Sequence, residues 1–456
     1  MRIFYYLCVV VLLQGCIDDY LESSPESGPS DSEELIGTPT GTAIGTESKP
    51  RSLPLVNSIA DIQGRFVGAF RIGSEYTTAR IAFNPDGNNG EGSLFVSTGL
   101  LDFGVKEIAI PELVNNLNDL SSLNFAATLQ GNVRLLDKIP EKSWSSDPIQ
   151  NRLMSLHYQD GKLLINGAIY YDAPGTDSDT TFRIETPSDL AASEVSGNFK
   201  MAGAQHLTKW TSPIPSDWQD ELGSEYLMGA GPELAILSRL SIGPTLFTFA
   251  MADLLMADNG DSITTTAVLD YPLETPLHAD FLNHGGASGG ENNDIFTAQS
   301  SPGYGFIVPG TRTYAVLGGS GGHNPVSNPY VGTMSDYANL NGTIFYKMEG
   351  ERWTDNAGNV ADGYSIYDHD DRGEFYWFYD LNDLLDADAP HTPKPYAYGY
   401  YSNFYSPEGL PSGKRNDVVS GSWDMANKLL YLSLPYVDRT YDGYSRNPVI
   451  VVLDFN

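Results

Sequence analysis

The sequence predicts an all-β fold, a β-propeller of five blades, with six or seven blades as alternatives. Three observations favour it. The chain of 456 residues contains 46 Gly, 28 Pro and 27 Tyr but only 18% charged residues, which is typical of a turn-rich β protein. Short strand-like segments recur between turn sequences, and no long segment has the 3.6-residue period of a helix. The body, at about 400 residues, is also far longer than one β-sandwich domain.

The strand-like segments are rich in β-branched and aromatic residues and are bounded by turn residues such as those at 84–90. The predicted strands are Phe66–Ile72, Thr78–Phe83, Ser93–Ser97, Leu163–Tyr171, Pro244–Phe249, Gly305–Val308, Thr313–Leu317, Phe375–Tyr379, Leu429–Leu434 and Pro448–Phe455. We expect the last strand to pair with the first, near Gly64–Ile72, and so to close the ring of blades.

Two kinds of internal repeat favour blades over other β architectures. In the first kind, a strand leads into an acidic residue and a leucine. It occurs at residues 105–114, 246–255 and 376–385. In the second kind, a turn precedes an apolar strand. It occurs at residues 82–97, 156–169 and 422–432. An inner strand, a turn, a middle strand and an outer strand are the parts of a propeller blade.

The N-terminal residues have the features of an export signal. Arg2 supplies a short positive region, and Ile3–Leu13 is almost wholly apolar but too short to span a bilayer core. The segment ends in Leu13-Gln14-Gly15-Cys16, which resembles the lipobox of bacterial lipoproteins. The resemblance implies cleavage before Cys16, acylation of Cys16 by chains such as palmitate, and a stable membrane anchor. Ile17, in place of Asp, implies the outer membrane, with the body facing the periplasm or the cell surface.

Three segments are predicted: a signal peptide at 1–15, a lipidated Cys16 with an acidic Ser/Gly/Pro-rich spacer at 16–55, and a propeller body at 56–456. The spacer has too few large apolar residues to repay the entropy of ordering, so we expect disorder. A flexible chain of that length would hold the body roughly 35 Å from the lipid. Cys8 and Cys16 are the only cysteines, so the mature body would have no disulfide, Cys-ligated zinc or Cys nucleophile.

The charge limits the partners. Asp and Glu number 58 against 26 Lys and Arg, a formal net charge of -32. This excess argues against nucleic acid and anionic lipid surfaces as partners. We expect a monomer that contacts the membrane through its lipid and binds a polysaccharide or an envelope protein.

Several runs of the body resemble a family of secreted bacterial β-propeller-like proteins that has no assigned activity. The resemblance covers roughly Gly64 to Asn456 and implies a shared fold and secretion only. The runs that carry it are Gly305–Tyr314, Gly319–His323, Phe375–Leu385, Pro395–Gly399 and the ending from Arg439 to Val451.

An insertion from Gly318 to Gly373 separates two predicted strands and contains the candidate site. Loops of that length in a compact domain are usually functional or disordered. The insertion combines aromatic residues, which stack on sugars, with carboxylates and Arg, which bind hydroxyls and acids; packing of the loop on its own Tyr residues is the alternative. The candidate binding residues are Trp353, Tyr364, Tyr367 and Arg372.

Catalytic candidates come from the same region. His323 follows a strand and a glycine run, so His323 or Tyr364 could act as a general base. Arg312, Arg352 or Arg372 could neutralise a uronate, and Asp368 and Asp371 could be the carboxylates of an inverting hydrolase.

No cofactor is assigned with certainty, and calcium is the weak candidate. The adjacent Asp368, Asp370 and Asp371 offer oxygen ligands, although their spacing does not match a known calcium loop. His278, Asp280 and His284 are a weaker candidate for a transition metal. Gly318–Gly322 matches G-x-S-x-G, but no helix is predicted after Ser320, which argues against a serine hydrolase.

Three hypotheses of function follow. The first is an anchored envelope lipoprotein whose propeller binds a glycan or another envelope component. The second is a polysaccharide-active enzyme, a lyase or a glycoside hydrolase. The third is a structural or assembly lipoprotein without a small ligand. The first two predict that His323, Arg312 and the acids at 364–372 converge in one pocket near the propeller axis.

Overall fold

The computed structural model describes the chain from Lys49 to Asn456 apart from a set of internal segments. Within that range, the segments outside the described residues are 74–78, 100–102, 117–118, 140–141, 147–149, 173–174, 204–206, 233–239, 280, 282–294, 298–299, 322–346, 350–351, 355–359, 363–371, 402–403, 405–416 and 439–446.

Strands dominate the described part of the chain, as predicted, and its helices are short. In chain order the strands are β1 (Phe66–Arg71), β2 (Ile81–Asn84), β3 (Ser93–Thr98), β4 (Gly104–Ala109), β5 (Thr128–Arg134), β6 (Asn151–Gln159), β7 (Lys162–Ile169), β8 (Thr181–Ile184), β9 (Val195–Met201), β10 (Trp210–Pro213), β11 (Tyr226–Gly229), β12 (Leu246–Phe249), β13 (Ser262–Ile263), β14 (Thr265–Leu269), β15 (Ser301–Ile307), β16 (Thr313–Gly321), β17 (Lys347–Glu349), β18 (Arg352–Thr354), β19 (Val360–Asp362), β20 (Arg372–Asp380), β21 (Ala397–Tyr400), β22 (Ser420–Asp424), β23 (Leu429–Asp438) and β24 (Asn447–Asp454). The helical segments are Lys49–Ser52, Ile59–Gln63, Gly87–Gly90, Leu120–Ser122, Pro187–Asp189, Ser216–Leu222, Met251–Met256 and Leu381–Leu385.

These strands form five antiparallel blades, so the protein is a five-bladed β-propeller, as predicted. From the inner to the outer strand, the blades are β2-β3-β4-β5, β6-β7-β8-β9, β10-β11-β12-β14, β15-β16-β20-β21 and β22-β23-β24-β1. We number them blades 1 to 5. The five inner strands β2, β6, β10, β15 and β22 contact their neighbours in turn around the axis. The first strand of every blade therefore lines the centre.

Strand β1 closes the ring. It is the first strand in the chain, but it pairs with β24 as the outer strand of blade 5, with Phe70 opposite Ile450. The pairing predicted between the C-terminal strand and the first body strand is confirmed. Both strands are almost wholly buried, which fits their continuous apolar sequences.

The sequence repeats correspond to equivalent parts of blades. The three strand-then-acid repeats are the third strands β4, β12 and β20 with the residues that follow them. The three turn-then-strand repeats are the inner hairpins β2–β3, β6–β7 and β22–β23. Each kind of repeat therefore marks one structural position within a blade.

In blades 1 to 4, the connection between the third and fourth strands packs on the blade before it. Residues 110–127 of blade 1 cover the outer strand of blade 5, where Ala69 and Val114 exchange backbone hydrogen bonds. In blade 3, β13 adds in parallel to β9 of blade 2. The connection of blade 4 contains Pro390, whose carbonyl oxygen accepts a hydrogen bond from the backbone N–H of Asp270, directly after β14 of blade 3. These contacts protect outer strands that would otherwise present open edges.

Blade 5 has no connection between its third and fourth strands. Residues 49–64, which we call the N-terminal arm, take the place of that connection and pack on blades 3 and 4. Arg51 forms ion pairs with Glu221 (3.2 Å) and Asp386 (2.7 Å). The backbone N–H of Val56 donates to the hydroxyl of Thr313 at 2.9 Å. The propeller body thus includes residues from Lys49 onwards, although part of the arm was expected to belong to the spacer.

Large aromatic side chains fill the blades around the axis. Trp210, Tyr304 and Tyr314 are essentially inaccessible to solvent, and the indole N–H of Trp210 donates to the Tyr314 hydroxyl at 3.3 Å. Gly305 lies against Tyr314 and Trp210 so closely that a Cβ would clash with both. In the part of the chain that the structure describes, no helix is long and apolar enough to cross a membrane.

Candidate ligand-binding face

The two faces of the propeller differ in their connections. Because neighbouring strands in a blade are antiparallel, each connection lies on one of two faces. We call the face where the inner strands begin the loop face, and the opposite face the closed face. The three longest connections between blade strands, residues 322–371, 270–300 and 401–419, join strand ends on the loop face, and each begins or ends on blade 4.

The predicted insertion leaves the loop face of blade 4. Strands β16 and β20 are longer than predicted and stay paired as far as Gly321 and Arg372, so the insertion is 322–371. It contains a small antiparallel sheet of β17, β18 and β19, with Trp353 on β18. Arg352 begins the same strand. The remaining six candidates within the insertion lie outside the described residues: His323, Tyr364, Tyr367, Asp368, Asp370 and Asp371.

Arg312 does not share a face with the Gly321–Arg372 pair, where the insertion leaves and rejoins blade 4. It directly precedes β16, whereas Gly321 ends it, so a whole strand separates Arg312 from the Gly321–Arg372 pair. Its guanidinium bonds to the carboxylate of Asp380 at 3.0 Å and to Leu53 O at 3.1 Å. The structure therefore places Arg312 on the closed face, where it holds the N-terminal arm. The residues with which it was hypothesised to converge, His323 and the acids at 364–371, lie outside the described residues.

A ring of polar residues marks the start of the inner strands on the loop face. Four of the five positions lie at or directly before the first residue of an inner strand, and the fifth lies three residues before β22. The members are Arg80, Asn151, Lys209, Ser300 and Asp417. All but Arg80 are buried, and the Arg80 guanidinium crosses from blade 1 to donate to Val419 O beside blade 5. Sequence reasoning missed this ring because its members are widely separated in the chain.

Two carboxylates lie on the same side of blade 4 within this region. The Asp417 carboxylate occupies the space where residue 319 would have a Cβ, so only glycine fits at Gly319. Glu374 is directly opposite Gly319 in the β16–β20 register. Since side chains of paired residues project to the same side of a sheet, Glu374 projects beside the Asp417 carboxylate. The backbone N–H of Tyr401 donates to Glu374 O at 3.1 Å and completes what we call the blade 4 cluster.

The Tyr401 hydroxyl is buried and has no hydrogen-bond partner among the described residues. Burial raises the pKa of its phenol well above the usual 10, and the negative charges of Glu374 and Asp417 raise it further. The phenol is therefore neutral at physiological pH and can donate a proton in a hydrogen bond. A buried donor without a partner costs free energy, and such groups in native proteins call for an explanation.

Ser320 in the G-x-S-x-G match is not a catalytic serine. It lies within β16, is fully buried, and its hydroxyl shares a 2.7 Å hydrogen bond with that of Ser300. A nucleophile elbow needs an exposed serine at a turn between strand and helix. Ser320 therefore lacks the geometry of a nucleophile elbow.

The metal hypotheses fall mainly outside the described residues. His278 is described, but Asp280 and His284 are not, and neither are the acids proposed for calcium. Among the described residues, no group of three or more His, Cys, Asp or Glu is placed to hold a metal ion.

Comparison with known proteins gives only distant likenesses. No family model and no curated protein matches the sequence. One similar solved structure comes from the GH130 family of mannoside phosphorylases, described as containing glycoside hydrolases that target β-1,2-mannosidic linkages in Candida mannan; its TM-score is 0.36 and its identity 7%, and the match covers 90% of this chain and 92% of that chain. A glycosyl hydrolase from Bacteroides ovatus has a TM-score of 0.35, 8% identity and coverage of 89% and 92%. Extracellular domains 1–2 of Drosophila Semaphorin 1a have a TM-score of 0.27, 10% identity and coverage of 86% and 88%. Likenesses this distant bear on neither activity nor ligand.

Proposed function

We propose that this protein is an envelope lipoprotein, anchored through Cys16, whose propeller binds a glycan or another envelope component at its loop face. The observation that carries the proposal is the concentration of the three longest connections on the loop face of blade 4. Binding residues are commonly carried by loops on a rigid scaffold. The five closed blades provide that scaffold.

The position of the N-terminal arm supports this arrangement. Lys49 pairs with Asp217 at 3.7 Å, and Arg51 pairs with Glu221, both in the connection between β10 and β11 on the closed face. Residues 16–48, which would link the lipid to the body, therefore join the propeller on the closed face. A lipid on Cys16 would leave the loop face directed away from the membrane.

Charge favours a neutral ligand. The formal net charge of -32 repels polyanions at long range, which disfavours uronate polymers as well as nucleic acids. A neutral glycan carries no such penalty.

The experiment is a glycan array probed with the full acylated chain in detergent, with release of reducing ends measured in parallel. We expect binding to one or a few neutral glycans. Binding to none of the glycans, with capture of no envelope component in cross-linking from intact cells, would contradict the proposal and favour a purely structural lipoprotein.

A glycoside hydrolase on the same face is the second candidate, because Glu374 and Asp417 supply two neighbouring carboxylates. New reducing ends from the bound glycan would favour the enzyme. Binding without turnover would favour the binding module.

A further inference from the structure

We propose that Asn89 is a site of spontaneous covalent modification, at which the side-chain amide is lost and aspartate or isoaspartate takes its place. An asparagine followed by glycine is prone to this reaction, because glycine has no side chain to hinder attack by its backbone nitrogen on the asparagine amide. The reaction needs no ligand, so it stands apart from the binding function proposed above.

The chain offers several sites for comparison. Asn–Gly pairs occur at residues 89–90, 166–167, 259–260 and 341–342. The last pair lies outside the described residues. The other three contain the same two residues, so a difference in their reactivity comes chiefly from the structure around them.

Two of the three described pairs are held by hydrogen bonds. The pair at 166–167 lies within β7, where its asparagine is 2% exposed and the N–H of its glycine donates to Thr180 O at 2.8 Å. In the pair at 259–260, the glycine N–H donates to Gly197 O at 3.0 Å, and the asparagine Oδ1 accepts from the Gly197 N–H at 2.8 Å. The attacking nitrogen is fixed in both pairs, and the amide under attack is also fixed in the second.

The pair at 89–90 is held much less firmly. The Asn89 side chain is exposed and makes no hydrogen bond to any described residue. Gly90 ends a single helical turn, Gly87–Gly90, in the β2–β3 connection, and an isolated turn opens readily. Asn88 and Asn89 both have a positive φ, 49° and 57°, which costs free energy and favours opening further. We therefore expect the Gly90 nitrogen to be released for attack more often than its counterparts in the other two pairs.

The reaction balances with water as its co-reactant. The Gly90 nitrogen gives up its proton and forms a bond to Cγ of Asn89. The Cγ–Nδ2 bond breaks, the side-chain nitrogen takes up a proton and leaves as ammonia, and a cyclic imide remains. Water then opens the imide at either of its two carbonyls. The product is aspartate or isoaspartate, with one new carboxyl group and no change in oxidation state.

The product changes the closed face and leaves the loop face as it is. The β2–β3 connection lies on the closed face, where the Asp86 carboxylate accepts from the Tyr158 hydroxyl of blade 2 at 2.6 Å. A carboxylate at residue 89 adds negative charge beside Asp86 and Glu91, and isoaspartate also adds a carbon to the main chain of the turn. We expect the connection 85–92 to loosen while affinity for any ligand of the loop face is unchanged.

The test is peptide mapping by mass spectrometry of the full acylated chain in detergent, after incubation at mildly alkaline pH. We expect aspartate and isoaspartate to form at residue 89 about tenfold faster, or more, than at residues 166 and 259, because hydrogen bonds must first break at those sites. In urea, the three sites should react at similar rates. Asn88 is the control within the same peptide: no glycine follows it, and its Nδ2 donates to Glu91 at 2.9 Å, so it should stay intact.

A matched variant checks the chemistry. Asn89→Gln would have to close a larger ring, so it should give no product at residue 89 while the other sites keep their rates. Equal rates at residues 89 and 259 in the folded chain would overturn the proposal, since the bonds to Gly197 would then protect nothing. It would also be overturned if Asn89 stayed intact in the folded chain while all three sites reacted in urea.

Discussion

His157 illustrates how one side chain can make stability depend on pH. It borders a cavity of about 20 Å³ between blades 2 and 3, which has room for about one water molecule. Its Nε2 is enclosed and has no hydrogen-bond partner in the part of the chain that the structure describes. Burial lowers the pKa of His157 from 6.5 to about 4. The imidazole therefore stays neutral in the folded protein under mildly acidic conditions in which the unfolded chain is protonated.

The free energy of unfolding should fall as the pH falls from about 6.5 to about 4, because only the unfolded chain binds the His157 proton in that window. The full loss from this group is about 3 kcal/mol. Urea unfolding at pH 7 and pH 4 should show that His157→Gln loses less stability than wild type by about this amount. His391→Gln serves as the control. Equal losses in wild type and His157→Gln would contradict the assignment.

Arg183 joins two blades through the end of a helix. Its guanidinium donates to Leu254 O at 2.8 Å, Leu255 O at 2.7 Å and Ala257 O at 3.3 Å, at the C-terminus of Met251–Met256. These carbonyls lack partners within the helix, and a cation is favoured there by the helix dipole. The contact ties β8 of blade 2 to blade 3.

We expect Arg183→Met to lower the free energy of unfolding by about 3 kcal/mol, since three buried carbonyls lose a charged donor. Urea unfolding measures the change. Arg134→Met, which removes an exposed arginine with a 3.5 Å ion pair to Asp137, should change it by less than about 0.5 kcal/mol. Comparable losses in the two variants would mean that the Arg183 contacts add nothing beyond a surface pair.

At the scale of secondary-structure elements, the N-terminal arm completes a pattern set by the blades. Four blades cover the preceding outer strand with the connection between their third and fourth strands. Blade 5 cannot do so with a continuous chain, because its fourth strand is β1. The arm precedes β1 and packs on blade 4 in place of that connection, where Arg312 bonds to it.

Arg312→Gln should therefore reduce stability and leave ligand binding unchanged. Loss of the bonds to Asp380 and Leu53 O should lower the free energy of unfolding by about 1–2 kcal/mol. Affinity for a bound glycan should match wild type, because Arg312 lies on the closed face. An Arg312→Gln protein with normal stability and lost binding would restore the catalytic or binding role considered from the sequence.

Many of the strands and turns could be predicted from the sequence, because they follow local patterns of residues. The repeats at 246–255 and 376–385 indicated equivalent strands of separate blades, which are third strands in the structure, and the apolar Pro448–Phe455 segment indicated a closing strand. The face of the propeller on which Arg312 lies could not be predicted, because it depends on how many strands of blade 4 precede Arg312 in the chain. The blade 4 cluster was missed because Glu374 and Asp417 meet only through the register of β16 with β20 and the packing over Gly319.

At the scale of the whole molecule, the tether and the long connections lie on opposite faces. Single cysteines can test this, because the sequence has no cysteine after Cys16. Met425→Cys would label an exposed site on the closed face, and Thr176→Cys an exposed site on the loop face. In vesicles carrying an acceptor lipid, we expect stronger energy transfer from a dye at residue 425 than at 176. Stronger transfer from 176 would contradict the orientation, and Cys16→Ser chains should show no transfer.

The central claim, that the loop face of blade 4 binds the ligand, is tested most directly by hydrogen–deuterium exchange of the full chain with and without a glycan found on the array. The account predicts slower exchange in peptides that contain Arg372–Glu374, Tyr401 and Asp417–Ser420, with no change in the closed-face connections 85–92 and 381–396. Protection confined to the closed face, or to blades remote from blade 4, would contradict it.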